Sequence, residues 1–323
     1  MPDPVRIANL LAMLDNDYQT LQRDVCRVAA KRHGFSVREL SARNDADEQA
    51  KQIKECLAES EGTRPRALLV NPVSESSLRP LAEEAAKLGV AFVMLNRSCR
   101  FIEELRAKYP RVPLFAVDPD QRKVGRIQGE QVTRLMPTGG DLLYIEGRAD
   151  TSSAQRRLEG LKAVLAGSDV HIVVAQGDWT AASGTAAVQH WLRTRITKAS
   201  DCVVCAQNDS MAIGARAALV STALNSKRPE LMDLPVTGCD GTMAQGQACV
   251  RSKELSATVI IPSSADRAVD ELAASFASGR PPTGDIALDV CSFPDLDILQ
   301  RAKHIQTSVR PGNQRAKATL ARS

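Results

Sequence analysis

Polar and aromatic side chains recur in the short segments that follow the apolar runs of this 323-residue chain. The first of these segments contains Asn16, Tyr18 and Gln19, and seven later ones carry Asn, Asp, Gln, Arg or Trp. Amides, carboxylates and guanidinium groups pair with hydroxyls, which donate and accept hydrogen bonds, and flat rings pack on apolar C–H faces. Asn and Asp also populate turns for backbone reasons, so only their convergence is informative. Together they indicate a site for a neutral polyhydroxylated molecule such as a sugar.

The same segments lack the signatures of common catalytic sites. No G-x-G-x-x-G motif follows a strand-like run, and no G-x-S-x-G motif is present. Gly241 and Gly246 have the spacing of a phosphate-binding loop, but the lysine of that motif is missing. Asp120, Asp209 and Asp240 could form an acid–base set, although no His or Cys nucleophile accompanies them. We therefore expect a non-enzymatic protein without catalytic residues.

The histidines and cysteines form no clear metal-ligand pattern. The four His residues are scattered without the spacing of zinc ligands. Cys202 and Cys205 have the spacing of a redox pair, but residues i and i+3 of a strand point to opposite faces. We expect buried apolar thiols there, and neither a metal nor a cofactor.

Charge and hydropathy restrict the partners. The chain has 42 Lys and Arg against 38 Asp and Glu, a net charge of +4 that does not require nucleic acid or an anionic membrane as partner. No apolar run approaches the ~18 residues of a membrane span. Residues 1–4 lack the features of a secretory leader. We expect a cytoplasmic chain, or one from which a leader is absent.

An alternation of apolar runs and amphipathic stretches predicts the elements that position these segments. The predicted strands are 5–11, 36–40, 67–70, 91–95, 114–117, 141–145, 171–175, 202–206, 235–238 and 257–260. The predicted helices are 21–31, 47–59, 78–88, 124–135, 153–166, 182–195, 211–224 and 264–278. Residues 97–113 are charge-rich and predicted to be irregular. The pattern indicates an α/β fold with two doubly wound parallel sheets, with ligands at the carboxyl ends of the strands.

Three segments carry a family resemblance. They are Ala-Gln-Asn-Asp-Ser-Met-Ala-Ile-Gly-Ala at 206–215, Gly-Cys-Asp-Gly-Thr at 238–242, and the stretch from Glu146 to Gly160. With weaker support at 71–73 and 177–179, the chain resembles the type I periplasmic sugar-binding proteins, the ribose binders most closely, from about residue 5 to 279. That family shares its fold with the effector domains of lactose-repressor-type regulators.

The resemblance implies a ligand pocket with residues from both sheets. Its members are Asn16, Tyr18, Gln19, Asn71, Asn96, Arg97, Arg157, Trp179, Asn208, Asp240 and Ile261. In this interpretation the two arginines supply charge-assisted hydrogen bonds, and Tyr18 and Trp179 supply ring faces. Four positions depart from the ribose binders: Asn96 replaces a carboxylate, Gln19 and Cys239 replace aromatic residues, and Ile261 replaces a Gln. The ligand is therefore not assumed to be ribose.

The resemblance also implies two lobes joined by a three-segment hinge. The N-terminal lobe would comprise 1–117 plus 261–288 and the C-terminal lobe 118–260 plus 289–305, with 306–323 as a mobile tail. The chain would cross between the lobes near residues 118, 261 and 288.

The implied function is closure of the two lobes around a sugar or similar polar small molecule, for uptake by an ABC-type transporter. We expect a periplasmic monomer whose partners are this ligand and an ABC permease or a membrane sensor, without nucleic acid. The alternatives are a ligand-sensing domain of a regulator or two-component system, and a cleft enzyme. A regulator would carry a helix-turn-helix of about 50 residues before the first strand, whereas that strand is predicted from Val5.

Overall fold

The strands of the two lobes form two parallel sheets in a computed structural model that describes residues 4–194 and 201–299. The strands are β1 (Arg6–Leu11), β2 (Ser36–Ser41), β3 (Ala67–Val70), β4 (Ala91–Leu95), β5 (Leu114–Pro119), β6 (Gly140–Glu146), β7 (Val170–Gln176), β8 (Cys202–Ala206), β9 (Val236–Thr237), β10 (Thr258–Ile260), β11 (Ile286–Leu288) and β12 (Cys291–Phe293). The first sheet has the order β11-β5-β4-β3-β1-β2 and the second β7-β6-β8-β9, while β10 and β12 form an antiparallel pair. The α/β class and two-lobe architecture are confirmed.

Helices cover both faces of each sheet. They are α1 (Asp17–Arg32), α2 (Ala46–Ala58), α3 (Leu78–Lys87), α4 (Arg100–Lys108), α5 (Gln121–Leu135), α6 (Ser152–Leu165), α7 (Ala181–Thr194), α8 (Asp209–Ser226), α9 (Gly246–Arg251) and α10 (Ala265–Ser278). A short 3-10 helix spans Pro229–Asp233. The core of each lobe is two apolar layers, one on each side of its sheet. Cys202 and Cys205 lie in different layers, as the strand period predicts.

Three helices begin closer to the preceding strands than predicted, and a side chain caps each of them. Asn16, Asp120 and Asn208 each accept backbone N–H bonds in the first turn of α1, α5 and α8. Because a capped N–H no longer needs water, these helices begin two to four residues before the predicted positions. The polar residues that follow the strands therefore lie on rigid helix starts.

The prediction that residues 97–113 are irregular is wrong. Residues 100–108 form α4, whose side chains Ile102 and Leu105 are buried against the first sheet. The apolar stripe of this helix is short and its other positions are charged, which hid the helical period. The elements α9, β11 and β12 are not predicted from the sequence, because they have only three to six residues.

The chain passes between the lobes after β5, after β10 and after β11, because α10 and β11 pack with the first sheet. The boundary residues given above stay a prediction. The proposed mobile tail, residues 306–323, lies outside the described residues, as do 300–305. Among the described residues, the helices are too short or too polar to cross a membrane.

Candidate functional site

Ten of the eleven predicted site residues line one cavity between the two lobes. Together with its open mouth, the cavity contains about 550 Å³ of space that protein atoms do not fill. Turns and helix starts at the carboxyl ends of both sheets form its wall, as expected for open parallel sheets. The lining residues are Ala12, Met13, Asn16, Tyr18, Gln19, Asn44, Asn71, Pro72, Val73, Asn96, Arg97, Ser153, Arg157, Trp179, Asn208 and Asp240.

The start of α1 contributes Asn16, Tyr18 and Gln19. Asn16 Oδ1 accepts a hydrogen bond from the Gln19 backbone N–H at 2.9 Å, which fixes the first turn. The Tyr18 hydroxyl donates to Asn96 Oδ1 at 2.7 Å. Gln19 Oε1 is buried and has no hydrogen-bond partner among the described residues. This turn therefore provides a free acceptor, Gln19 Oε1, at the cavity, and its Tyr18 hydroxyl holds Asn96 in place.

Asn96 follows β4 with a left-handed backbone, at φ 62°, a conformation that asparagine tolerates better than most residues. Its Oδ1 accepts from the Tyr18 hydroxyl and, at 2.9 Å, from Ser264 Oγ. Its backbone carbonyl accepts from Gln121 Nε2 at 2.8 Å. Asn96 Nδ2 is buried without a partner in the described part of the chain. The acceptor side of this amide is occupied and only its donor side is available.

Asn71 directly follows β3 and is held through its backbone. Its carbonyl accepts a hydrogen bond from Gln49 Nε2 at 2.9 Å, and Gln49 Oε1 accepts from the Val73 N–H at 2.9 Å. The Asn71 side chain is 3% exposed, and its Nδ2 has no partner among the described residues. A buried glutamine on α2 thus fixes the loop while the Asn71 donor stays unused.

Arg97 is buried at the wall beside a carboxylate that also touches the second lobe. Its guanidinium lies 3.6 Å from Glu75 Oε1 and 3.4 Å from the Val73 carbonyl. Burial lowers the pKa of Arg97, and the charge of Glu75 opposes that shift. Glu75 also accepts from Ser152 Oγ at 2.7 Å and from the Ser152 N–H at 3.2 Å, at the start of α6. Glu75 therefore joins the two lobes at one edge of the cavity.

Arg157 projects from α6 and is only 6% exposed. It donates through Nε to Gln121 Oε1 at 2.8 Å and through Nη1 to the Gln207 carbonyl. Helices α5 and α6 pack so closely that a Cβ on Gly125 would lie 1.9 Å from the Arg157 carbonyl oxygen. The guanidinium carbon is 5.7 Å from the centre of the Trp179 ring, within the range of a cation–π contact. The arginine is thus fixed before any ligand arrives.

Trp179 has a left-handed backbone, at φ 75°, which is rare for a bulky residue and marks a constrained position. Its carbonyl accepts from Asn208 Nδ2 at 2.9 Å, and a Cβ on Gly147 would lie 2.0 Å from its ring. Trp179 Nε1 is buried without a partner among the described residues. Asn208 Oδ1 accepts from the Met211 N–H and so caps α8. Because both ends of its amide are engaged, Asn208 mainly positions the tryptophan.

Two buried aspartates, Asp209 and Asp240, lie on the second-lobe side of the cavity, and of the two Asp240 lines it. Asp209 accepts from the Gly241 N–H at 2.8 Å and from Thr258 Oγ1 at 2.7 Å, yet burial raises its pKa to about 7. Asp240, at φ 114°, makes no side-chain hydrogen bond to the described residues. Burial, and then the charge of Asp209, raise the pKa of Asp240 well above its usual value. One carboxyl of the pair is thus favoured in its protonated form.

The remaining predicted residue, Ile261, does not reach the cavity. Its side chain is 3% exposed and packs in an apolar cluster with Tyr18, Cys239 and Val259. Apolar partners on α1 and at the end of β10 turn it inwards. The prediction also missed Asn44, Ser153 and four other lining residues, and the buried braces Gln49, Gln121 and Gln207. The only signal of these three glutamines in the sequence is their position, on an otherwise apolar helix face or just after a strand.

The aspartates considered for catalysis are not assembled as an acid–base set. Asp120 caps α5 by accepting from the N–H groups of Arg122 and Lys123 and is half-exposed, whereas Asp209 is enclosed by its own hydrogen bonds. Within residues 4–194 and 201–299, no three His, Cys, Asp or Glu side chains converge in a way that could hold a metal ion.

Comparison with known proteins places this geometry in context. A family model described as "Periplasmic binding protein domain" matches residues 7–278. The D-ribose/D-allose-binding protein of Pseudomonas aeruginosa is 28% identical over 224 residues, which cover 68% of this chain and 67% of that protein.

Solved structures share the fold over nearly the whole chain. A galactofuranose binding protein has a TM-score of 0.78 at 17% identity and covers 94% of this chain and 99% of its own. The fructose binding periplasmic domain of a hybrid two component system has a TM-score of 0.73 at 20% identity, with 94% and 96% covered.

Proposed function

The chain belongs to the periplasmic binding protein family, and from that premise we propose that it closes its two lobes around a sugar-like solute and delivers it to an ABC-type permease. One observation carries the proposal: side chains of both lobes meet in a single cavity with polar atoms that still lack partners. Buried polar atoms are costly when unpaired, so a ligand that pairs them stabilises the closed arrangement.

The division of the wall between the lobes supports a closing mechanism. Asn71, Asn96 and Arg97 come from the first lobe, and Arg157 and Trp179 from the second. A ligand that contacts both sets favours the closed state by the contacts that the open state cannot make. We propose that the hinge consists of the three crossings near residues 118, 261 and 288.

The chemistry of the wall favours a ligand with several oxygens and one apolar face. Amides and two arginines surround the cavity, and the Trp179 ring forms part of one side. The relative from Pseudomonas aeruginosa, named for D-ribose and D-allose, supports a sugar or a close analogue. Because the chain belongs to the periplasmic binding protein family, we also propose a periplasmic location and a non-enzymatic role.

A sensing role is the second candidate. The fructose binding periplasmic domain with the same fold is part of a hybrid two component system, so the same closure could signal to a membrane kinase. A co-purification of the chain with candidate permease and kinase ectodomains distinguishes the two roles.

A thermal-shift screen against pentoses, hexoses, inositols and sugar derivatives tests the proposal, because a ligand of the native state raises the melting temperature. For any hit, Arg157→Ala should weaken binding by roughly tenfold or more, since a charge-assisted hydrogen bond contributes about 1.5–3 kcal/mol. Arg122→Ala on the exposed face of α5 is the matched control and should leave the affinity unchanged. Unchanged affinity in the Arg157 variant would contradict the assignment of this cavity.

A further inference from the structure

Among the fully buried side-chain atoms at the cavity that lack a partner in the described residues, hydrogen-bond donors outnumber acceptors. Asn71 Nδ2, Asn96 Nδ2 and Trp179 Nε1 are buried and have no acceptor among the described residues. All three side chains line the cavity. A ligand that satisfies them must present lone pairs at three separate positions.

Two guanidinium groups add charge to this donor set. Arg157 uses Nε and Nη1 on uncharged groups and forms no ion pair with a carboxylate of the described residues. Arg97 has Glu75 at 3.6 Å, but Glu75 is also engaged by Ser152. Burial has the largest effect on the pKa of Arg97 and lowers it, the charges of Glu75 and Asp118 raise it, and the smaller effect of Arg157 lowers it. Both arginines line the same cavity, so an anion bound there can interact with both guanidinium groups.

Acceptors are correspondingly few. Asn96 Oδ1 receives two hydroxyls, while Asn16 Oδ1 and Asn208 Oδ1 cap helices. Gln19 Oε1, Asn44 Oδ1 and Asn71 Oδ1 accept no hydrogen bond from the described residues, and among those residues Asp240 is the one carboxyl group that lines the cavity. A neutral polyol brings a proton on each hydroxyl and needs an acceptor for it. This wall provides acceptors for only part of such a molecule.

We propose that the ligand is a sugar acid, with its carboxylate on the Asn71, Asn96, Arg97 and Arg157 side and its hydroxyls towards Gln19 and Asp240. A carboxylate brings about four lone pairs and no proton, which matches the unused donors. A carboxylate also brings a negative charge to the side of the cavity where Asn96 has an uncharged amide. This assignment rests on the proposed function. It replaces the neutral ligand expected from the sequence with an anionic one.

Calorimetric titration with matched sugars tests the assignment. D-Galactose and D-galacturonate, and D-glucose and D-glucuronate, differ within each pair only in the oxidation of C6. We expect the wild-type protein to bind at least one uronate ten times more tightly than its neutral partner, and to lose part of that preference at high salt.

The variant Asn96→Asp is the decisive comparison, because it replaces the amide with a carboxylate of the same shape that can still accept from Tyr18 and Ser264. The preference for the uronate should fall at least tenfold or reverse. Asn71→Asp is a second variant that places the charge at another unused donor. Asn225→Asp on the exposed surface of α8 adds the same charge away from the cavity and should keep the preference.

The outcomes separate this inference from the proposed function. Neutral sugars that bind the wild type as tightly as the uronates would overturn the inference and leave the proposed function intact. A preference that survives in both Asn96→Asp and Asn71→Asp would also overturn it. If neither these four compounds nor any member of the wider screen binds, the proposed function itself fails.

Discussion

The two halves of the cavity wall are built in different ways. The first-lobe wall, defined as Gln19, Asn71, Asn96 and Arg97, has three buried polar atoms without partners among the described residues. In the second-lobe wall, defined as Arg157, Trp179, Asn208 and Asp240, Arg157 and Asn208 belong to a buried hydrogen-bond network, while the Trp179 indole nitrogen and the Asp240 carboxyl group have no hydrogen-bond partner among the described residues. The second lobe thus presents a preassembled surface, while the first lobe presents groups that only a ligand can satisfy.

This difference predicts that changes to the second-lobe wall reduce stability as well as binding. Changes to the first-lobe wall should act chiefly on affinity and ligand preference. Four predictions test that division.

The largest effect is expected from Gln207→Leu. This buried side chain accepts from the Gly147 N–H and donates to Tyr144 and to the Ala154 carbonyl. Leaving buried groups unpaired costs about 1–3 kcal/mol each, so the free energy of unfolding should fall by about 3 kcal/mol or more in denaturant titration. The first-lobe counterpart, Gln49→Leu, breaks two such bonds and should cost less. Equal losses would contradict the division.

Gly147→Ala should displace the Trp179 ring, because the added methyl would lie 2.0 Å from a ring carbon. Overpacking of this kind costs about 1–3 kcal/mol, and the intrinsic fluorescence of the protein should change together with the affinity for the solute. Gly62→Ala, where a Cβ meets nothing within 4 Å, is the control. Wild-type fluorescence and binding in the Gly147 variant would argue against a fixed indole.

The pH dependence of stability should report the buried carboxyl pair. The pKa of Asp209 is raised to about 7 in the folded state, above about 3.9 in the unfolded chain. The folded state therefore binds more protons, and the contribution of Asp209 to the free energy of unfolding falls as pH rises from about 4 to 7, by at most about 1.4 kcal/mol per pH unit. Unfolding titrations should show a flatter profile for Asp209→Asn than for the wild type. Asp47→Asn on the surface of α2 should keep the wild-type slope, and a wild-type slope in the Asp209 variant would refute the assignment.

The smallest effect is expected from Asn71→Ala. Its Nδ2 has no partner among the described residues, so the melting temperature of the ligand-free protein should hardly change. A single neutral hydrogen bond contributes about 0.5–1.5 kcal/mol, which predicts a two- to tenfold loss of affinity by calorimetry. A large loss of stability without a loss of affinity would assign Asn71 to the scaffold.

The sequence predicts the strands better than the details of the wall. Strands β3, β4 and β8 have the predicted bounds, because continuous buried apolar runs end abruptly at turn residues. Helix α4 was missed because its charged positions outnumber its apolar stripe. Of the eleven site residues predicted from residue types and the family resemblance, ten line the cavity.

The direction in which a side chain points could not be predicted. Ile261 turns into an apolar cluster, and Asn208 is engaged by a helix cap and the Trp179 carbonyl. Both outcomes depend on packing between segments far apart in the chain. The braces Gln49, Gln121 and Gln207 were missed for the same reason, since a glutamine on a helix is ordinary until its partners are known.

A crystal structure of the protein with the tightest-binding solute of the screen tests the central claim most directly. We predict that the solute lies between the lobes, with oxygens on Asn71, Asn96 and Arg157 and an apolar face on the Trp179 ring. A solute bound to one lobe alone, or outside this cavity, would contradict it.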